Sequence, residues 1–175
     1  MSFKLRELER VDLTTINAWR NDPGLIEWLG APFRYINFEV DSNWYARYLS
    51  KRENQVRCAI VRSDAPLEIL GLVSLVSVDH TNRSAELHIM IGDKRNRGRG
   101  LGTFAVRSIL RHAFYNMNLR RVELTVLETN EAARRLYEKC GFVREGVKRE
   151  AKYKNGKYVN MWQYGILKSE FAANE

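Results

Sequence analysis

The sequence predicts a single α/β domain built on a mixed, mostly antiparallel central sheet. Strand-like alternation recurs in both halves of the chain, two helix-like runs alternate with strands between residues 102 and 139, and Asn155-Gly156 separates the last two strands. Strand–helix–strand order implies at least one parallel strand pair, and Asn-Gly is a strong hairpin signal. The length of 175 residues fits one domain, to which we assign residues 1–175.

The first half of the chain predicts a short strand, two amphipathic helices and an antiparallel meander. Residues 3–7 alternate apolar with charged side chains, Asp12 opens a helix that stops at Pro23, and Asp41-Ser42 precedes a second helix. The three predicted meander strands are 56–61, 69–78 and 84–91.

The second half predicts alternating helices and strands followed by a hairpin. Residues 102–116 and 131–139 have helical apolar spacing, and residues 122–127 form a strand between them. The hairpin strands are 142–153 and 158–167. The fold class is therefore a mixed sheet, antiparallel at both ends, with helices packed on it.

Charge and composition limit the kinds of partner that we expect. The chain has 29 Lys and Arg against 21 Asp and Glu, a formal charge of +8, which favours an anionic partner: nucleic acid, an acidic membrane face or a phosphorylated small molecule. We find no signal-peptide core and no membrane-spanning run, and the two cysteines and three histidines lack metal-ligand spacing. We expect a cytoplasmic protein that binds neither a membrane nor a metal.

The segment 92–103 carries the first chemical signal. It reads GDKRNRGRGLGT, follows a predicted strand and opens a predicted helix. Unpaired N–H groups at a helix start attract anions, and glycines let a ligand approach the backbone. A P-loop is rejected because Leu101 and Gly102 stand where Lys and Ser or Thr are needed, and the dinucleotide fingerprint is matched only weakly. A plain basic surface turn is the remaining alternative.

A second segment one strand later removes much of that ambiguity. Residues 130–142 read NEAARRLYEKCGF, and residues 97–102 read RGRGLG. Together, in this order and separation, they resemble the R/Q-x-x-G-x-G/A and N-x-x-A-x-x-L-Y-x-x-x-G-F signatures of the GNAT superfamily of acyl-CoA-dependent N-acetyltransferases. The rest of the chain resembles the branch that contains ribosomal-protein N-terminal, spermidine and aminosugar acetyltransferases.

The resemblance implies a GNAT-like fold whose parallel strand pair is splayed into a V, between residues 87–91 and 122–127. The pantetheine arm of acetyl-CoA would insert there, and no metal is implied. The acetyl-CoA-binding core would span about 84–142, and acceptor-site elements about 10–50 and 142–168. The residues implied to bind the cofactor are Ile89, Met90, Ile91, Arg97, Gly98, Arg99, Gly100, Leu101, Gly102, Thr103, Asn130, Ala133 and Tyr137.

The resemblance also implies catalytic roles. Tyr137 would protonate the departing CoA thiolate, as a phenol with an ordinary pKa of about 10 can do at neutral pH. Glu86 precedes the cofactor-contacting residues on the same strand, and partial burial at a strand end can raise the pKa of a carboxyl group toward neutrality. It is therefore our candidate to accept the proton of the acceptor amine, directly or through water, although it could equally bind a cationic substrate or an arginine. A backbone N–H near Met90 would stabilise the tetrahedral intermediate. Asn130 has two alternative roles, helix capping and a cofactor contact.

The acceptor amine is not identified by the sequence. A polyamine, a protein N-terminus and a nucleotide-linked aminosugar all remain open. The aromatic residues of the acceptor elements are Trp19, Trp28, Phe33, Tyr35, Trp44, Tyr153 and Trp162. Acidic residues that would attract a cation are Asp22, Glu27, Glu39 and Asp41, and basic residues that would suit a nucleotide are Arg20, Arg34 and Arg47.

A nucleic-acid or ribosome-associated binding module without catalysis is the rival function. Its footprint would be the basic residues near segment 92–103 and residues 107–121, but no aromatic stacking platforms interrupt them. We therefore do not expect nucleic acid as a partner. The resemblance is compatible with a homodimer.

Overall fold

A computed structural model describes residues 2–92, 94–96 and 98–173 of the chain. Within them one sheet contains seven strands: β1 (Phe3–Glu7), β2 (Val56–Arg62), β3 (Ala65–Asp79), β4 (Ser84–Ile91), β5 (Arg121–Leu127), β6 (Val143–Lys154) and β7 (Lys157–Leu167). The α-helices are α1 (Leu13–Arg20), α2 (Pro23–Ile26), α3 (Phe38–Ser50), α4 (Leu101–Arg111), α5 (Glu131–Lys139) and α6 (Lys168–Ala173).

The strand order across the sheet is β1-β2-β3-β4-β5-β7-β6. The β4–β5 pair is parallel and every other neighbouring pair is antiparallel. The predicted fold class is confirmed, including the meander of β2, β3 and β4 and the terminal hairpin. The hairpin turns at Asn155 and Gly156, whose φ angles of 50° and 81° are both left-handed, as an Asn-Gly turn requires.

Two apolar clusters cover opposite parts of the sheet. The larger one packs α4 and α5 against the central strands and includes Leu87, Ala105, Leu124 and Tyr164. The smaller one packs the N-terminal helices against β2 and β3, with Ile16, Tyr48 and Ala59 among its members. The described members of this second cluster include no residue of β4 or β5, so one face of these two strands lies outside it.

Helix boundaries show where the sequence prediction was incomplete. The α3 helix begins at Phe38, earlier than predicted, because the side chain of Asn37 accepts a hydrogen bond from the N–H of Val40 and caps it. The predicted helix 102–116 begins at Leu101 and becomes a π-helical turn over His112–Asn116. The C-terminal α6 was not predicted. In the described part of the chain, no helix is both long and apolar enough to span a bilayer.

Candidate active site

The cleft of the site forms where β4 separates from β5. Their parallel register runs from Ser84 opposite Arg121 to Glu86 opposite Glu123 and ends there. Beyond it, the end of β4 keeps its antiparallel pairing with β3, including Leu72 opposite Met90. The backbone groups of residues 87–91 that point away from β3 have no partner in the described register, so they present an open strand edge inside the sheet.

The three residues predicted to bind the cofactor through their backbone lie on this open edge. Ile89, Met90 and Ile91 are all half-buried, and Ile89 and Ile91 pack against the larger apolar cluster. Side-chain packing thus holds the strand while its main chain remains available. That arrangement suits an extended ligand that adds itself to the sheet as a strand would.

The glycine-rich loop leads from the end of β4 to the start of α4. Gly98 and Gly100 have φ angles of 72° and 82°, and nothing lies within 4 Å of a Cβ built on either residue. Both positions therefore require glycine for the backbone angle and border open space. The first hydrogen bond of α4 among the described residues runs from the N–H of Phe104 to the carbonyl oxygen of Gly100, 2.9 Å. The N–H groups of residues 101–103 precede it and lie at the open start of the helix, as an anion site requires.

The predicted cofactor-binding residues around the loop differ in how exposed they are. Arg99 is exposed and lines a small cavity of 100 Å³ with Asn96 and Leu101. Leu101 itself is buried, and Thr103 is half-buried. Arg97, which we predicted to bind the pyrophosphate, lies outside the described residues.

Glycine is required at position 102 for a reason that the sequence analysis did not identify. A Cβ built on it would lie 2.9 Å from Cδ2 of Leu136 on α5. Glycine here lets α4 and α5 approach closely, so the missing side chain serves helix packing rather than ligand access. Its N–H group remains at the open end of α4.

Asn130 caps α5 and also holds the N-terminal part of the chain. Its Oδ1 accepts a hydrogen bond from the N–H of Ala133 at 3.1 Å, and its Nδ2 donates to the carbonyl oxygen of Trp28 at 2.9 Å. The structure thus shows the capping alternative. The contact with Trp28 was not predicted and joins the cofactor motif to the acceptor elements. The half-buried Ala133 packs against the larger apolar cluster.

Tyr137 is buried against the sheet close to the end of the β4–β5 pairing. Its ring lies 6.4 Å from that of Tyr164, and Tyr164 is opposite Leu124 in the β5–β7 register. Leu124 is the first residue of β5 after the last parallel pair, so Tyr137 lies at the level where the cleft opens. Burial raises the pKa of the Tyr137 phenol well above its ordinary value of 10, with a smaller contribution from Cys140. The hydroxyl is therefore protonated and can donate throughout the physiological range.

Glu86 lies on the other face of the sheet at the same level. Its strand neighbours Ala85 and Leu87 are buried in the larger apolar cluster with Tyr137, so the alternation of β4 turns Glu86 away from that cluster. The carboxylate is partly exposed, and its Oε1 lies 3.0 Å from Nε2 of His88. The acid and base candidates thus flank the cleft from opposite faces.

Two acceptor predictions are wrong. Asp41 was predicted to attract a cationic amine, but it is fully buried, forms an ion pair with Arg20 and accepts a hydrogen bond of 2.7 Å from Asn17. Arg20 was predicted to suit a nucleotide and is occupied by the same ion pair. Burying a carboxylate is costly unless it is paired, so this pair fastens α1 to α3 and is not free for a ligand.

The aromatic set divides into packed and exposed members. The indole of Trp19 fills the space that a side chain at Gly92 would need, Trp44 lies under Arg57, and Trp162 lies between Arg134 and Arg144. In contrast, Trp28, Tyr35 and Tyr153 are exposed, and the half-buried Phe33 packs edge-on against Tyr35. Only the exposed members are available to an acceptor.

The hairpin tip holds the segment that follows α2. Nζ of Lys154 donates to the carbonyl oxygens of Ile26 (2.9 Å) and Ala31 (2.5 Å), and Nδ2 of Asn155 donates to Glu27 at 2.9 Å. We call these contacts the hairpin clamp. Burial lowers the pKa of Lys154, but its ammonium group is compensated by the two carbonyl oxygens.

Two features of this region were missed by sequence reasoning for different reasons. His88 stands two positions after Glu86, a spacing that puts both side chains on one face of a strand, so the pair was detectable once β4 was predicted. The hairpin clamp joins residues more than 120 positions apart, and no local pattern encodes such a contact.

A cavity of 790 Å³ lies away from the cleft, among β1, β2 and α4. Its lining includes Arg6 and Arg52, but Arg6 is paired with Asp12 and Arg52 with Glu7. We assign no ligand to this cavity.

Comparisons with known proteins agree with this geometry. A family profile described as Acetyltransferase (GNAT) domain matches residues 3–143. The chain is 33% identical to a spermidine N(1)-acetyltransferase of Vibrio cholerae over 95% of this chain and 94% of that protein. It is 32% identical to an Escherichia coli K12 protein of the same name, over 98% and 89% of the two chains. A crystal structure of the Vibrio cholerae spermidine N-acetyltransferase in complex with CoA and spermine superposes with a TM-score of 0.90 at 29% identity, covering 98% of each chain.

Proposed function

Because the chain belongs to the GNAT family of acetyltransferases, we propose that it transfers the acetyl group of acetyl-CoA to a primary amine by direct attack in a ternary complex. The observation that carries this proposal is the continuity of the site. The open edge of residues 87–91 runs into the left-handed glycines Gly98 and Gly100 and then into the unsatisfied start of α4. An extended arm ending in a pyrophosphate matches that sequence of backbone groups.

The same geometry supports the proposed domain organisation. Residues of about 84–142 form the acetyl-CoA-binding core, and about 10–50 and 142–168 supply the acceptor-site elements. The pantetheine arm pairs with Ile89, Met90 and Ile91, and the pyrophosphate rests on the N–H groups from Gly98 to Thr103, with Arg99 adding positive charge.

The proposed reaction uses both faces of the sheet. The amine arrives on the face that carries Glu86 and loses one proton there. Its nitrogen lone pair then forms the C–N bond as the C–S bond breaks. The departing sulfur takes the proton of Tyr137, and the proton released from the amide nitrogen restores the phenol. A backbone N–H near Met90 stabilises the oxyanion.

A polyamine is the acceptor class that we propose. The relatives named above are spermidine acetyltransferases. The region from the end of α2 to the first turn of α3 exposes two carboxylates, Glu27, which also accepts from Asn155, and Glu39, together with the aromatic rings of Trp28 and Tyr35. Carboxylates and aromatic faces both attract alkylammonium groups. A protein N-terminus and a nucleotide aminosugar serve as the comparison substrates.

A thermal melt with single ligands tests the cofactor. A ligand that binds only the folded protein raises its melting temperature, so acetyl-CoA should raise it while ATP, NAD and a short RNA should not. CoA release with spermidine, a peptide N-terminus and a nucleotide aminosugar then tests the acceptor. A shift with RNA alone and no CoA release would contradict the proposal and favour a binding module.

A further inference from the structure

The contacting pair of Glu86 and His88 lies at the opening of the cleft. Glu86 belongs to the last parallel pair of β4 and β5, and His88 is the next residue of β4 that faces the same way. The distance from Nε2 of His88 to Oε1 of Glu86 is 3.0 Å, and the exposed side-chain fractions are 57% and 36%. Solvent therefore reaches the imidazole more freely than the carboxylate.

The orientation of the imidazole determines which nitrogen is available. A carboxylate can only accept a hydrogen bond, so the 3.0 Å contact with Oε1 of Glu86 favours the tautomer in which Nε2 carries the proton and Nδ1 keeps its lone pair. The contact thus favours this tautomer and this direction of the ring. A carboxylate that orients a basic imidazole in this way is a recurrent arrangement in proton transfer.

The charged groups described on the neighbouring strands bind one another and do not occupy Glu86 or His88. On β5, Glu123 is opposite Glu86, and its carboxylate is already bound to Arg121 at 3.0 Å. Arg121 in turn binds Glu145 of β6. On β3, the residues opposite His88 and Glu86 are the uncharged Ser74 and Val76. Arg121 is thus already held by Glu123 and Glu145, and Glu86 bonds to His88.

We infer that Nδ1 of His88 accepts the proton of the acceptor ammonium group, and that Glu86 is the positioning residue that orients His88; this rests on the proposed function. The proton moves from the ammonium nitrogen to Nδ1, which leaves a neutral amine to attack the thioester and an imidazolium that releases its proton to solvent. No oxidant or additional reactant is needed.

The test compares His88→Gln with a matched histidine variant. We expect His88→Gln to lower kcat/KM at neutral pH on the order of a hundredfold and to remove the acid-side limb of its pH profile. His80 is exposed and bonds to the backbone of Glu53 away from the cleft, so His80→Gln should keep the wild-type rate and profile. Melting temperature and acetyl-CoA affinity should be unchanged in both variants.

Two further variants distinguish a base from a structural residue. In His88→Ala, added imidazole should restore part of the lost rate, and Glu86→Gln should lower the rate less than His88→Gln does, because glutamine can still hold the ring. An unchanged pH profile in His88→Gln, or a larger loss in Glu86→Gln with no imidazole rescue, would overturn the role of His88. If the wild-type enzyme acetylates none of the amines tested, the proposed function itself fails.

Discussion

The ammonium group of Lys154 donates a hydrogen bond of 2.9 Å to the backbone carbonyl oxygen of Ile26, 128 positions earlier in the chain. This bond is part of the hairpin clamp, and the neighbouring Trp28 is held from the other side by Asn130 of the cofactor motif. The segment after α2 is therefore fixed at both the hairpin and α5. Its position relative to the cleft depends on Lys154 and Asn130, neither of which supplies a reacting group in the proposed mechanism.

Lys154→Met should weaken acceptor binding. The substitution keeps most of the side-chain volume but removes the donor to Ile26 and Ala31, and a hydrogen bond from a charged group contributes about 1.5 kcal/mol or more. We expect the KM for the amine to rise on the order of tenfold, with acetyl-CoA affinity unchanged. Steady-state kinetics with each substrate varied in turn measure both, and Lys157→Met on the exposed side of the same hairpin is the control. Equal effects of the two variants would contradict a role for the hairpin clamp.

Tyr137→Phe should lower kcat about a hundredfold and leave acetyl-CoA affinity nearly unchanged, because only the proton donor is removed. The matched control is Tyr164→Phe. That buried tyrosine donates to Glu138 at 2.7 Å, so its loss should reduce stability while sparing kcat. Single-turnover kinetics and calorimetric titration with CoA separate the two effects. A wild-type kcat in Tyr137→Phe would remove it from the mechanism.

Gly100→Glu should reduce acetyl-CoA affinity by placing a carboxylate where we propose that the pyrophosphate lies. The left-handed φ of 82° also strains any non-glycine residue, by about 1–2 kcal/mol. Gly156 has a φ of 81° and open space around it, but lies at the hairpin tip, so Gly156→Glu carries similar strain without the electrostatic effect. Calorimetric titration should show weaker binding only for Gly100→Glu. Equal affinities in the two variants would count against the anion site.

Stability should depend on the ion pair of Arg121 and Glu145 in a pH-dependent way. The pKa of Glu145 is lowered, chiefly by its hydrogen bonds to Arg121, which are 2.5 and 2.6 Å long. A carboxyl with a lowered folded-state pKa stabilises the fold above its unfolded-state pKa of about 4.3, and this contribution disappears as the pH falls through the folded-state value.

We therefore expect Glu145→Gln to lower the free energy of unfolding by up to about 1 kcal/mol at pH 7, since the pair is partly exposed. The difference from the wild type should shrink as the solution is acidified below pH 4.3. Urea denaturation at several pH values measures this, with the exposed Glu53→Gln as the control. A difference that is constant with pH would contradict the ion-pair explanation.

Local patterns predicted the strands and helices well because each element buries one face. The strand β4 was predicted from a loose alternation over residues 84–91 that ends in the apolar residues 89–91, and the Asn-Gly pair located the hairpin turn. The start of α3 was misplaced because Asp41 looks like a cap in the sequence, whereas its carboxylate is buried against Arg20 of α1. Such long-range compensation of a buried charge leaves no trace in neighbouring residues.

The candidate site was predicted only in part for the same reason. The two motifs indicated Tyr137 and the glycine loop, and the position of Glu86 on the strand before residues 89–91 suggested it as the base. That Tyr137 and Glu86 lie on opposite faces of the sheet could be determined only from the observed strand register and burial. Sequence reasoning also assigned Gly102 to ligand binding, although the absence of a side chain there makes room for Leu136.

The open edge of β4 also bears on the solubility of the enzyme. Without a bound ligand, residues 87–91 leave backbone donors and acceptors in the middle of the sheet, where an extended chain from another molecule can pair with them. A ligand that occupies this edge shields it from such pairing. Saturation with acetyl-CoA should therefore slow aggregation of the purified enzyme more than its increase in melting temperature alone accounts for.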